Sequence, residues 1–371
     1  MKKGWEVKSL GEVCENLDSK RVPITKSKRV SGDIPYYGAS GIVDHVADYI
    51  FDERLLLVSE DGANLLARTY PIAFSIEGKT WVNNHAHVLK FVNLTTQHFI
   101  EYFLNSIKLD RYISGMAQPK LNQKSLNSII VPIPPLEEQK QIVAILDDAF
   151  AAIEQAQAII EKNIDNAKEL FQSKLNDIFS QKGEGWEEKS LGDICENLDS
   201  KRKPITKNKR ISGDIPYYGA SGIVDHVADY LFDEDLLLVS EDGANLLART
   251  YPIAFSISGK NWVNNHAHVL RFKNISSQYF VEYYLNSIKL NDYVSGMAQP
   301  KLNQRNLNSI KVPFPNLETQ EKIVGKLNRL IDCNRELVAI YQQKLTNLED
   351  LKKSLLEQAF AGELTHKDMP A

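Results

Sequence analysis

The sequence predicts an α+β fold: two near-identical mixed α/β globular domains separated by two long helices that form an antiparallel coiled coil, with a pseudo-twofold relating the halves. Three observations predict it. The first is a repeat whose register never slips: Trp5 matches Trp186, Trp81 matches Trp262, Gly115 matches Gly296 and Pro132 matches Pro313, each pair 181 residues apart. The second is where the copies agree. From position 5 to 137, 107 of 133 positions are identical in the second copy, whereas only 11 of 43 agree between 138–180 and 319–361. The third is a change of period at that border, from short strand-like runs to a long apolar row with steps of three and four.

Within the first copy, the strand-like runs are Leu55 to Val58, Ile72 to Ile76, His87 to Phe91 and Ile129 to Ile133, punctuated by Gly, Pro and Asn. One amphipathic helix fits after the Thr95-Thr96 cap signal, with Ile100, Phe103, Leu104 and Ile107 on one face. The segment Val131-Pro132-Ile133-Pro134-Pro135-Leu136-Glu137-Glu138-Gln139 then ends the domain, because prolines stop strands and suit a helix start. Beyond it, apolar residues recur at Ile142, Leu146, Ala149, Ile153, Ala156, Ile160, Ile164, Ala167, Phe171, Leu175 and Ile178, with no internal Pro or Gly. That is a heptad seam. The second copy repeats it through Ile323, Leu327, Leu330, Leu337, Tyr341, Leu345, Leu348, Leu351 and Leu355. At about 1.5 Å per residue, each helix spans roughly 60 Å.

An apolar seam needs a partner, and the chain supplies one of equal length, so the helices are expected to pair with each other as a spacer. The predicted division is a first domain at 1–135, a long helix at 136–180, a second domain at 181–316, a second long helix at 317–362 and a tail at 363–371.

Composition narrows the class. Apolar residues make up 43% of the 371 and charged residues 25%, the proportions of an ordinary globular protein. The first residues are charged with no apolar run behind them, and no stretch approaches the roughly 18 apolar residues of a bilayer span, so a cytoplasmic location without membrane contact is expected. Cys14, Cys195 and Cys333 form no C-x-x-C pair and read as small buried hydrophobes. The net charge of −4 advertises no nucleic-acid field, but residues 1–131 carry 16 Lys/Arg against 14 Asp/Glu while 136–180 carry 4 against 9. Any nucleic-acid surface is therefore a local patch.

Identical polar runs supply the candidates, because packing alone leaves surface residues free to drift: Asp33 to Tyr49, Leu55 to Ile76, Trp81 to Leu89 and Ser114 to Gln123 are the same in both copies. Two copies with one surface are expected to bind one thing twice. Lys20, Arg21, Lys26, Lys28 and Arg29 cluster in a loop-like stretch suited to phosphates, mirrored by Lys201, Arg202, Lys203, Lys207, Lys209 and Arg210. Tyr37 and Ser40, with Tyr218 and Ser221, lie in a small-residue loop that approaches a groove or closes a turn. Asn84 and His85, with Asn265 and His266, sit in an Asn-Asn-His-Ala-His motif. On a strand, His85 and His87 would share a face as two zinc ligands do, but no Cys or carboxylate completes a set at the usual spacing, so hydrogen bonding to the fold or a base edge is favoured. Lys120, Asn122 and Gln123, with Lys301, Asn303 and Gln304, offer donors of the kind that read purine edges. Ser59-Glu60-Asp61-Gly62 pairs two carboxylates and reads first as a turn. No phosphate loop, G-x-G-x-x-G, H-E-x-x-H or Asn/Asp-Pro-Pro-aromatic motif is present, so catalytic and cofactor-binding residues are expected to be absent from this chain.

Taken in order, these motifs resemble those of the specificity subunit of Type I restriction-modification systems: Tyr37-Gly38-Ala39-Ser40-Gly41-Ile42, Asp61-Gly62, Asn84-His85-Ala86-His87-Val88-Leu89, Pro119-Lys120-Leu121-Asn122, Ile133 to Gln139, and the ending Phe360 to Thr365. The second copy departs slightly at Pro315-Asn316-Leu317-Glu318-Thr319-Gln320. The resemblance implies two target-recognition domains, each reading one half of a bipartite duplex DNA site, with the helices as a ruler. It also implies partners: two modification subunits that bring S-adenosylmethionine, and a restriction subunit with ATP-driven translocation and Mg. Because the two domains nearly match, the half-sites are expected to be reverse complements. The rival readings are a scaffold whose end domains bind protein, and a metal-dependent nuclease built on His85 and His87.

Overall fold

All five residues of Leu55–Ser59 are buried, so that strand needs cover on both faces, and the domain is arranged around the need. The structure is a computed structural model that describes residues 2–115, 118–181, 183, 185–296 and 299–365; residues 116–117 of the repeated Ser114–Gln123 run, and the predicted tail from 366 onward, lie outside the described residues. The chain forms two compact units, Met1–Ile160 with Gln343–Ala371, and Glu161–Gln342, so each unit takes in part of both long helices.

In the first unit the order is β1 (Glu6–Ser9), α1 (Leu10–Val13), β2 (Glu15–Asn16), β3 (Ile34–Gly38), β4 (Gly41–Val46), β5 (Phe51–Asp52), β6 (Leu55–Ser59), α2 (Asn64–Ala67), β7 (Ala73–Ile76), β8 (Lys79–Val82), β9 (Ala86–Lys90), α3 (Leu94–Ser106), α4 (Gln123–Asn127), β10 (Ile130–Ile133) and α5 (Leu136–Ser180). Short 3-10 turns at Asp18–Lys20 and Lys26–Lys28 shape the basic loop. β6 is central in the antiparallel sheet β2-β9-β6-β7. On one face, Leu56, Val58, Ala73 and Leu89 pack with Phe99, Ile100 and Leu104 of α3 and with Ile142 and Leu146 of α5. On the other, Leu55, Leu57, Ile76 and Val88 pack with Phe51 and Val82 of a second sheet, β4-β3-β8-β5. Burial of each such leucine contributes about 2 kcal/mol. The second unit repeats both sheets and both cores.

Local chemistry explains where elements differ from expectation. α3 starts one residue before the Thr95-Thr96 signal because Asn93 is its N-cap, its side chain accepting from Thr96 N at 2.8 Å. The Tyr36–Gly41 stretch is a hairpin: Tyr36 and Tyr37 lie in β3, and Ala39-Ser40 joins it to β4, with Gly41 at φ +122°. Cys14 and Cys195 are half-buried, but Cys333 is exposed on the second long helix, so the expectation of three buried thiols fails there.

The long helices pair antiparallel within the first unit. Glu138 meets Thr365 at 2.6 Å, Phe150 lies under the Lys352 ammonium, and Gln157 meets Glu349 at 2.5 Å, so one residue number falls as the other rises. All eleven residues of the α5 seam, Ile142 to Ile178, are at least partly buried. The second long helix, Leu317–Ala361, departs from the predicted row: Leu337 and Leu351 are 40% and 45% exposed. Its half-buried stripe keeps the expected Tyr341, Leu345, Leu348 and Leu355 but passes through Asn334, Val338 and Lys352 in place of Leu337 and Leu351, again in steps of four and three. Lys352 fits because its methylene stem lies along the seam while its ammonium reaches the Phe150 ring and Gln157 Oε1.

Candidate nucleic-acid interface

The end of β6 and the start of β9 lie side by side, with Ser59 opposite Ala86, and four loops converge there. Glu60 N donates to His85 O at 2.9 Å, Gly62 N to Pro119 O at 3.1 Å and Leu121 N to Glu60 O at 2.8 Å, tying the Asp61-Gly62 turn to the His85 and Lys120 loops. Ser59 Oγ donates to Ala39 O at 2.5 Å, which brings the β3–β4 hairpin tip and Ser40 alongside. The basic loop joins through Asp18, whose Oδ1 accepts from Val88 N at 2.9 Å.

A buried ion cluster fastens these loops together. The His87 ring, 1% exposed, has Nδ1 at 2.5 Å from Asp18 Oδ2 and Nε2 at 2.7 Å from Leu121 O. Arg21 Nη1 donates to Glu60 at 2.6 Å and to Ala86 O at 2.7 Å, its Nη2 lies 3.4 Å from Asp18, and Lys120 Nζ lies 3.1 Å from Glu60 Oε1. Burial pushes the Asp18 carboxyl up, but the His87 hydrogen bond and charge, the Val88 amide and Arg21 outweigh it, and the group ends below the usual carboxylate range. Glu60 is also held low, burial being outweighed by Arg21, His87 and Lys120. The second unit has the same cluster in Asp199, Arg202, Glu241, His268 and Lys301.

Asp18, Glu60 and His87 bring ligand atoms within 4.8 Å of one another, a grouping the sequence spacing hid because the three lie far apart in the chain. The donor chemistry does not fit a metal ion: both His87 nitrogens are committed to oxygens, and a guanidinium and an ammonium already neutralise the carboxylates. The zinc geometry considered for His85 and His87 also fails, since β9 begins at Ala86: His85 stands exposed in the turn before it and His87 is buried within it.

The remaining candidates fall into distinct surroundings. Lys20, Lys26 and Lys28 are exposed, as are Lys201, Lys207 and Lys209. Arg21 and Arg202 are committed to the cluster, and Arg29 and Arg210 are held by Asp44 and Asp225, both at 2.8 Å, with their guanidinium groups over Tyr36 and Tyr217 at 4.3 Å. Tyr37 and Tyr218 are half-buried against Phe74 and Phe255, while Ser40 and Ser221 are exposed at the hairpin tips. Asn84 and Asn265 are exposed. Asn122 and Asn303 cap short helices, accepting from Ser125 N and Asn306 N at 2.9 Å. Gln123 donates to Asn16 Oδ1 at 2.8 Å and is exposed, as is Gln304. Lys120 and Lys301 are about half exposed beyond their ion pairs. The sequence reading missed Asp61 and Asp242, which hold His85 and His266; the pairing leaves no local signal, because the partners are 24 residues apart.

A family model for the Type I restriction modification DNA specificity domain matches residues 2–162 and again residues 183–349. The chain belongs to this family. It is a Type I restriction-modification specificity subunit with two DNA specificity domains. A Haemophilus influenzae protein named as a type I restriction enzyme specificity subunit is 29% identical over 339 residues, covering 87% of each chain. The MjaVIII specificity subunit of Methanocaldococcus jannaschii is 25% identical, over 98% of this specificity subunit and 94% of its own length. The fold is that of a chain solved in work on assembly and conformational transition of the type I R-M system (TM-score 0.74, 17% identity, 98% and 99% coverage) and resembles the HsdS subunit of Thermoanaerobacter tengcongensis (TM-score 0.57, 18% identity, 98% of each chain). Among the described residues no helix is long and apolar enough to cross a membrane.

Proposed function

We propose that each domain of this specificity subunit reads one half of a split duplex DNA site and that the two halves are inverted copies of one sequence. The observation that carries this reading is the duplicated interface: exposed Lys20, Lys26, Lys28, Ser40, Asn84, His85 and Lys120 recur in the second unit at the same 181-residue offset, around the same buried ion cluster. The two units are alike in composition: each contains its own domain, the start of the helix that follows it and the end of the other long helix.

In this reading the lysines hold phosphates and the loop tips meet base edges, while the long helices set the spacing and dock two modification subunits. Those subunits supply S-adenosylmethionine, a restriction subunit supplies ATP and Mg-dependent translocation, and this chain contributes recognition without catalysis, in the cytoplasm. Binding of the chain with its modification subunit to duplex DNA, measured against salt, tests it. The affinity is expected to fall linearly on a log–log plot, with a slope near −0.9 per phosphate engaged. Binding that ignores salt, or that a protein partner but no duplex elicits, points to the scaffold instead.

A further inference from the structure

One exposed histidine of each domain, His85 in the first and His266 in the second, is held in one tautomer, and this fixes what its free edge can recognise. His85 Nδ1 lies 2.8 and 3.0 Å from the two Asp61 oxygens, and His266 Nδ1 lies at the same distances from Asp242. A carboxylate only accepts, so Nδ1 carries the proton and, in the neutral ring, Nε2 presents a lone pair. Nε2 has no hydrogen-bond partner among the described residues, and the side chains are 53% and 52% exposed. The backbone holds the ring in place from both sides: His85 N donates to Asn83 Oδ1 at 2.8 Å, His85 O accepts from Glu60 N, and Asp61 bridges to Lys120. In the second unit the ring borders a concavity of about 430 Å³ lined also by Asp242, Gln299 and Lys301.

Resting on the DNA reading above, we propose that His85 and His266 are specificity-determining residues that accept a hydrogen bond from an exocyclic amino group in the major groove, adenine N6 or cytosine N4. These are the amino donors that the major groove offers. The nearby Asp61 carboxylate, about one-third exposed, disfavours guanine O6 and thymine O4 by repulsion between acceptors. The ring is already oriented, so little rotamer entropy is lost on binding.

Sequences selected from random duplexes by the complex with the modification subunit test the inference position by position. The wild-type complex is expected to enrich, in each half-site, one position that admits an amino-bearing base. His85→Ala alone is expected to cut that preference about tenfold in one half-site, leaving every other position and the second half-site unchanged. Asp61→Asn gives Nδ1 an amide that can donate as well as accept, so Nε2–H becomes accessible and the same position is expected to admit guanine or thymine. Whether the position selects adenine or cytosine distinguishes the two amino sources. Uniform weakening across a half-site would make His85 a merely structural residue and overturn the inference, as would an unchanged preference in both variants. A wild-type complex that enriches no sequence would overturn the DNA reading and this inference together.

Discussion

At the scale of single residues, burial separates cations that hold the fold from those left for a ligand. Arg21 is spent on Glu60, Asp18 and Ala86 O, while Lys20 beside it is exposed. Arg21→Ala leaves two buried carboxylates under-neutralised, so it is expected to lower stability by about 3 kcal/mol in chemical denaturation. Lys20→Ala is expected to leave stability within about 0.5 kcal/mol and to reduce the salt slope of DNA binding by about 1. Equal effects of the two substitutions on stability would contradict the division. The cluster also sets an acid limit. The folded Asp18 and Glu60 carboxyls titrate below their unfolded values, so their stabilisation is complete above the unfolded value of about 4 and disappears as pH falls through the folded value. The denaturant midpoint of the wild type is therefore expected to drop more steeply between about pH 5 and 3 than that of Asp18→Asn with Asp199→Asn. Parallel curves would show that the cluster does not set the limit. Burial pushes the Cys14 and Cys195 thiols up to about 12, whereas Cys333 is exposed. A thiol reagent is expected to titrate one cysteine rapidly in the native chain and three after denaturation, and fast reaction of Cys14 would count against the burial described.

At the scale of elements, the end of the second long helix is part of the first domain's core. The Phe360 ring packs edge-on against Phe99 at 5.3 Å and Phe103 at 5.2 Å, far from its own place in sequence. Phe360→Ala is expected to cost about 2–3 kcal/mol and to speed hydrogen exchange at Leu56 and Val88; unchanged exchange there would mean that the helix end is dispensable. Periodicity made the α5 seam legible residue by residue. It misled at Leu337 and Leu351 because a residue-type count favours leucine, while the geometry places the long stem of Lys352 in the stripe. Four of the first unit's ten strands, β6, β7, β9 and β10, were legible to within a residue, since β-rich runs ended at turn residues. The functional site was less so: which lysines are free, and which histidine is buried, depends on pairings such as Asp18 with His87 that close over 69 residues.

At the scale of the whole molecule, the central claim is that one recognition surface occurs twice and reads one sequence in two orientations. The twenty-six positions that differ between residues 5–137 and their partners avoid the converging loops at Ser40, His85 and Lys120, but they include Val22, matched by Lys203. Both backbones are pinned alike there, Trp81 and Trp262 donating to the Val22 and Lys203 carbonyls at 2.6 Å, so within the basic loop the second domain carries one more exposed cation on the same frame. Identical half-sites with somewhat tighter phosphate binding by the second domain follow from that pattern, and Lys203→Val is expected to remove the difference in salt dependence between the two. The most direct test is selection of bound sequences from random duplexes by the chain co-expressed with its modification subunit, followed by inspection of symmetry. The account predicts two inverted copies of one half-site around a fixed gap; two unrelated half-sites would contradict it.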